Sequence, residues 1–369
     1  MYMKHTLFLS ILIFSAALMS SCQPSPARLF VGGFTKTGEN GLTIYDFNGR
    51  TGELTHLAKF NAGPNPAYFC YSPEKKLLYV ANEVMEFNGQ FGGGLTTYSY
   101  DPENISIEKK NEMVIPYGGP CYISLSPDSG YLFLANYPNG SVAVVRLDSQ
   151  GIPERITDTI LYNKSEPDAS HAHMIMNDRA GEKIYVTDLG LDRIIRYEFD
   201  TLEGSLIHED TLIVPKGYGP RHFDFSSDGS MAYVINELGS KLTVFSLTDG
   251  NPEPVQTLPT TREGYNLDNY CADIHLSPDG RYLYGSNRGE NSVVVYSVKA
   301  NGTLELAGHT TCGGNWPRNF VLDPSGGFLL VGNQKSDSVA VFRLDKKSGL
   351  PIEPARKYKV TAPACLKFY

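Results

Sequence analysis

The chain has a single tryptophan in 369 residues, no CxxC pair among its six cysteines, and no excess of basic over acidic side chains. Each shortage excludes something. Once Cys22 is set aside, Cys70, Cys121, Cys271, Cys312 and Cys365 form an odd, irregularly spaced set, which argues against a disulfide framework or a zinc site. Most of them sit in apolar strand patterns and read as small buried hydrophobes. Lys and Arg number 32 against 40 Asp and Glu, so the net charge of -8 gives no electrostatic case for nucleic acid or an anionic membrane surface. An anionic ligand would need a local cluster of arginines. Long apolar runs are also missing: the stretch from Thr6 to Met19 is shorter than the roughly 20 residues a membrane-spanning helix needs. What is plentiful is glycine (36) and tyrosine (23), a composition suited to many short strands joined by tight turns. A hydrophobic content of 41% with 20% charged residues is normal for a globular protein with a substantial core.

The N-terminus reads as a processing signal. Lys4 and His5 precede the apolar run, which has the length of a signal-peptide core. Ser20, Ser21 and Cys22 then resemble the lipobox of bacterial lipoproteins, with Met19 where leucine is usual. The expected division is a signal peptide over 1–21, a lipid-anchored tether over 22–27 with acylation at Cys22, and one folded domain over 28–369. The protein is thus expected to be exported, in the periplasm or on the outer membrane, touching the membrane only through its lipid.

One pattern recurs through the rest. An alternating strand leads into a Ser-Pro-Asp-Gly-like turn, then a second strand ending in Asn, a polar loop and a third strand. GPRHFDFSSDGSMAYVINELGSKLTVFSL from Gly219 and WPRNFVLDPSGGFLLVGNQKSDSVAVFRL from Trp316 are clear copies. Equivalent starting residues are Pro66, Pro120, His171, Pro220, Cys271, Pro317 and Pro363, separated by 54, 51, 49, 51, 46 and 46 residues. A period near 50 with three to four strands per unit is the signature of propeller blades. RLFVGGF from Arg28 matches a second strand, and APACLKFY at the C-terminus matches a first strand. The expectation is therefore an all-β, seven-bladed propeller whose last blade joins the two ends of the chain and leaves no open sheet edge.

Repeat alignment becomes a site prediction because the start of a blade's first strand and the end of its second open on one face near the axis. At the first location stand His171 and His173, Arg221 and His222, and Arg318 and Asn319; the other repeats carry Ala67, Cys121, Ala272 and Ala364. At the second stand Glu83, Tyr137, Leu189, Glu237, Arg288, Gln334 and Phe34. His171, His173, Arg221, His222, Glu237, Arg288 and Arg318 should converge on one mouth, with Glu83 across it. Blander roles compete: structural histidines at 171 and 222, an Arg221–Glu237 ion pair, and solvated rim charges at Arg288 and Arg318. His171-Ala-His173 invites a metal reading, but no cluster in the sequence has convincing ligand spacing. Neither metal nor cofactor is expected.

GPRHF at 219–223, INEL at 235–238, SPDGRYLYGSNRG at 277–289, PRNF at 317–320 and HAHM at 171–174 resemble the 6-phosphogluconolactonase family of seven-bladed propellers, to which the fungal 3-carboxymuconate lactonizing enzymes also belong. The resemblance covers essentially all of the mature chain, with motifs in the right blades and order. It implies a catalytic set of His173, Arg221, Glu237 and Arg288, with Arg318 as a further anion contact; His171, His222 and Glu83 complete the expected substrate-binding residues. The implied activity is hydrolysis of a sugar lactone. Arginine offers planar, bidentate donors to a carboxylate, a phosphate or an oxyanion. Either Glu237 or His173 could draw a proton from the attacking water. Two other readings stay open on the residues alone: a carboxymuconate-type lactonizing isomerase, and a non-catalytic binding propeller. Export also leaves open whether the lactone is phosphorylated.

Overall fold

The computed structural model describes residues 27–164 and 169–369; Cys22 and the segment read as a signal lie outside them. Seven four-stranded antiparallel sheets make up the architecture, with a small two-stranded ribbon, Glu86–Phe87 and Gln90–Phe91, on the first blade. Blades 1 to 6 start at Pro66, Pro120, Ala172, Pro220, Tyr270 and Pro317, and each runs outward in chain order. Blade 7 is composite: Pro363–Phe368 is innermost, followed by Ala27–Gly33, Leu42–Asn48 and Glu53–Phe60. The predicted closure by the two chain ends is therefore what the molecule uses.

Recurring residues explain why the repeats fold alike. In the turn after the first strand, Ser126 accepts the Tyr131 N–H at 2.9 Å and donates to Asp128 at 2.6 Å. Ser226 and Ser277 repeat the arrangement with Met231 and Tyr282. Gly229 and Gly280 take φ of 72° and 71° there, a conformation in which a Cβ is strained. Tyrosines of the second strands lock neighbouring blades. Tyr79, Tyr131, Tyr233 and Tyr284 donate to the carbonyls of Gly151, Thr201, Gly302 and Gly349, each in the outer hairpin of the next blade. All five cysteines among the described residues are buried free thiols.

The asparagine ending most second strands is also structural. Asn82 donates to the carbonyls of Ala62 and Pro64, Asn287 to Thr260 and Asn333 to Cys312, all at 2.7–2.9 Å. Each amide clamps the incoming inter-blade connection and so fixes the residue that follows it at the mouth. In blade 3 Asp188 takes this place, accepting from Ser170 and from the His171 N–H.

One local distortion decides where the channel residues point. Next to each first strand the ladder slips just after the first paired residue, leaving Ala67, Cys121, His173, Arg221, Arg318 and Ala364 as the extra residue of a β-bulge. Blade 5 slips between Cys271 and Ile274. A bulge re-aims a side chain and breaks strict alternation, so two consecutive residues can face the axis. The register also corrects the third repeat. Ala172, not His171, is the counterpart of Pro220, both pairing with the last residue of the second strand. His173 is thus the true equivalent of Arg221 and Arg318, and His171 stands one residue outside.

Candidate active site

Glu83, Cys121, Tyr137, His173, Arg221, Glu237, Arg288 and Arg318 line a cleft of about 120 Å³ at one mouth of the channel. The bulges supply Cys121, His173, Arg221 and Arg318; the ends of second strands supply the other four. Beneath it a cavity of about 10 Å³, the size of one water, is bordered by His173, Arg221, His222, Arg318 and Asn319, among others.

The charges are arranged around one carboxylate. Glu237 Oε2 lies 2.9 Å from Arg221 Nε, off the line of a hydrogen bond, and 2.7 Å from Arg288 Nη2. Arg221 is only 2% exposed and also donates to the Ala272 carbonyl at 2.6 Å. Burial, then Arg288, pull its pKa down to about 10 against the opposing pull of Glu237. Arg288 donates to the carbonyls of Tyr270 and Cys271 and stands 5.5 Å over the Trp316 ring. Arg318 is held differently. It stacks 4.8 Å over Phe34, and its ionic partner is Glu83 at 3.6 Å, beyond hydrogen-bond reach. Burial raises the Glu83 pKa despite Arg318 and Arg221.

His173 is the uncharged element. It is 4% exposed, and its Nδ1 has no hydrogen-bond partner among the described residues. Its ring meets Tyr137 edge-on at 5.7 Å and His222 at 5.0 Å. Burial, then the neighbouring Arg221, hold its pKa well below the usual histidine range, so the imidazole is neutral at pH 7.

The predicted residues therefore separate into layers. His173, Arg221, Glu237, Arg288, Arg318 and Glu83 share the cleft. His222 lies one step deeper, bordering the small cavity, with Nδ1 2.7 Å from Asp273. His171 stacks on Tyr137 at 4.6 Å, with Nδ1 3.1 Å from the Tyr137 carbonyl oxygen. Its ring braces a wall of the cleft, and His171 is not among the cleft-lining residues. Three guanidinium groups make this mouth a poor host for a cation and a good one for an anion.

Sequence reasoning left out Tyr137, Trp316 and Asp273. Tyr137 occupies the same slot as Glu83 and Glu237 and was legible there. Trp316 was signalled by being the only tryptophan, just before Pro317 and Arg318; its φ of 66° is rare for a bulky residue and sets its ring against Arg288.

A closed seven-bladed propeller with an arginine-rich, histidine-bearing cleft at one mouth defines the class: a propeller whose mouth suits a small anion. The family model described as Lactonase, 7-bladed beta-propeller, matches residues 28–368, and the chain belongs to that family. A curated 6-phosphogluconolactonase of Formosa agariphila is 33% identical over 334 residues, covering 87% of this chain and 93% of the relative. One of Bacillus subtilis is 26% identical, covering 92% and 97% respectively. Among solved structures, the periplasmic gluconolactonase of Pseudomonas aeruginosa is 31% identical with a TM-score of 0.85, covering 93% of this chain and 99% of that one.

Proposed function

We propose that this protein hydrolyses a sugar lactone at the arginine-rich mouth, as an exported lipoprotein. The observation that carries the reading is the meeting of three guanidinium groups with one neutral, incompletely hydrogen-bonded imidazole in a single cleft. His173 takes a proton from water as the water oxygen adds to the lactone carbonyl carbon. Arginine N–H groups stabilise the oxyanion formed. Collapse of the tetrahedral intermediate breaks the ring C–O bond, and the leaving alkoxide takes the proton from His173. The products are a hydroxyl and a carboxylic acid, which gives its proton to solvent. Arg221 and Arg288 are tied to backbone carbonyls and act as fixed walls. Arg318, with no such tie among the described residues, is the group that reaches for the substrate's anionic end or oxyanion. Glu237 holds Arg221 and Arg288 in place.

The test is turnover of a panel of phosphorylated and unphosphorylated aldonolactones, plus carboxymuconate, with spontaneous hydrolysis subtracted. Faster hydrolysis of at least one sugar lactone is expected. Preference for an unphosphorylated one would match the exported location, and rates equal to buffer throughout would reject the lactonase reading. Arg318→Ala should raise KM about 10-fold or more with a smaller change in kcat.

Location has its own test. Cys22→Ala should move the protein from the membrane fraction to the soluble fraction and abolish incorporation of labelled fatty acid. Unaltered membrane association would mean that Cys22 is not the anchor.

A further inference from the structure

Directly below the mouth, blade 5 carries a buried carboxylate to which the mechanism above gives no role. Asp273 is 1% exposed. Its Oδ1 faces His222 Nδ1 at 2.7 Å. Its Oδ2 faces His275 Nε2 at 3.0 Å, the Asn319 side-chain amide, and the Phe320 N–H at 3.2 Å. Burial alone would raise the carboxyl pKa; His275 and His222 outweigh it and keep the group ionised. On the other side of the imidazole, His222 Nε2 lies 3.4 Å from Arg221 Nη1, at the long end of hydrogen-bond range. A guanidinium has N–H donors and no acceptor, while an ionised carboxylate has acceptors and no donor. Both neighbours therefore specify the same ring: proton on Nδ1, lone pair on Nε2.

We propose that Asp273 is a positioning residue for the mouth. By fixing His222 as the Nδ1–H tautomer, it presents an acceptor to Arg221 and so orients the guanidinium that meets Glu237. The chain runs Asp273, His222, Arg221, Glu237, and only its last two members line the cleft. Its kinetic consequence rests on the lactonase reading; its tautomeric consequence does not. His275 provides a reporter at the far side of the channel, with 36% of its side chain exposed. Burial pulls its pKa down, but Asp273 and then Asp224 outweigh that and, against Lys367, hold it above the usual histidine value.

Asp273→Asn is isosteric and gives a definite expectation. Three donors face the Oδ2 side, so the amide oxygen settles there and the NH₂ group turns toward His222 Nδ1. The ring must then accept at Nδ1 and carry its proton on Nε2, aiming a donor at the donors of Arg221. A carboxylate-to-amide change that inverts a histidine tautomer lowers kcat by about 10⁴-fold where that histidine is itself the base. Here the histidine acts through Arg221, and a fall on the order of 100-fold in kcat is expected, with KM changed by less than about 5-fold. ¹⁵N NMR of the imidazoles should show Nδ1–H for His222 in the wild-type protein and Nε2–H in the variant, with the His275 pKa dropping in the variant. A wild-type His222 protonated on Nε2, or a folded D273N protein with near wild-type kcat, overturns the proposal. If D273N does not fold, the wild-type tautomer decides alone. If the wild-type protein turns over no lactone, the lactonase reading falls while the NMR result still judges Asp273.

Discussion

His173→Ala should lower kcat by 10²- to 10⁴-fold, the range for losing a positioned general base, while leaving the thermal midpoint within a few degrees. The ring sits at a bulge, where truncation opens the cleft and the water-sized cavity without breaking a ladder pair. The pH profile gives the sharper test. A base works only when deprotonated, and the folded-state pKa of His173 lies below the ordinary 6.5. Wild-type kcat/KM should therefore stay level as the pH falls through 6.5 and decline only well below it. An acid limb centred at 6.5 or above, or H173A with wild-type kcat, would remove this residue from the mechanism.

Glu237→Ala should produce the largest loss of stability. It leaves Arg221 and Arg288, at 2% and 6% side-chain exposure, facing each other without their shared counter-charge. Removing one partner of a buried ion pair typically destabilises by about 3–5 kcal/mol. At roughly 1.4 °C per kcal/mol for a single domain of this length, the thermal midpoint should fall by about 4–7 °C. Glu237→Gln keeps the shape and one acceptor, so it should lose less. Glu83→Ala should lose about 1 kcal/mol or less, since Arg318 is 3.6 Å away and partly exposed. Thermal unfolding of the three variants checks the ranking; an E237A midpoint equal to that of E83A would show that Glu237 does not organise the arginines.

Fold, mouth and the layer beneath it were not equally legible in the sequence. Blade number and closure were legible because turn chemistry and the Asn at the second-strand end repeat at a nearly fixed period. The mouth was legible because Arg221, Glu237, Arg288, Arg318 and Glu83 stand where the remaining repeats carry alanine or another uncharged side chain. The third blade misled by one residue: it has no proline at its start, and two histidines flank the alanine that takes that place. The layer beneath the mouth was hidden for a different reason. Strand alternation predicts that neighbours of a channel residue point away, yet the bulges let Arg221 and His222 both border the cavity under the mouth. Asp273 lies in the slipped segment of blade 5 between apolar residues, and its four partners come from three blades.

The composite blade bears on how the molecule would carry mechanical load. Ala27–Gly33 is not an edge strand: Pro363–Phe368 flanks it on one side and Leu42–Asn48 on the other. Arg28 exchanges backbone hydrogen bonds with Tyr369, and its side chain bonds Tyr100 and the Pro102 carbonyl of blade 1. Tension applied along this strand would load it in shear, with two ladders sharing the force. Peeling an outer strand would break its bonds one after another. The seam that closes the ring thus also divides a pull on its N-terminal strand between two ladders.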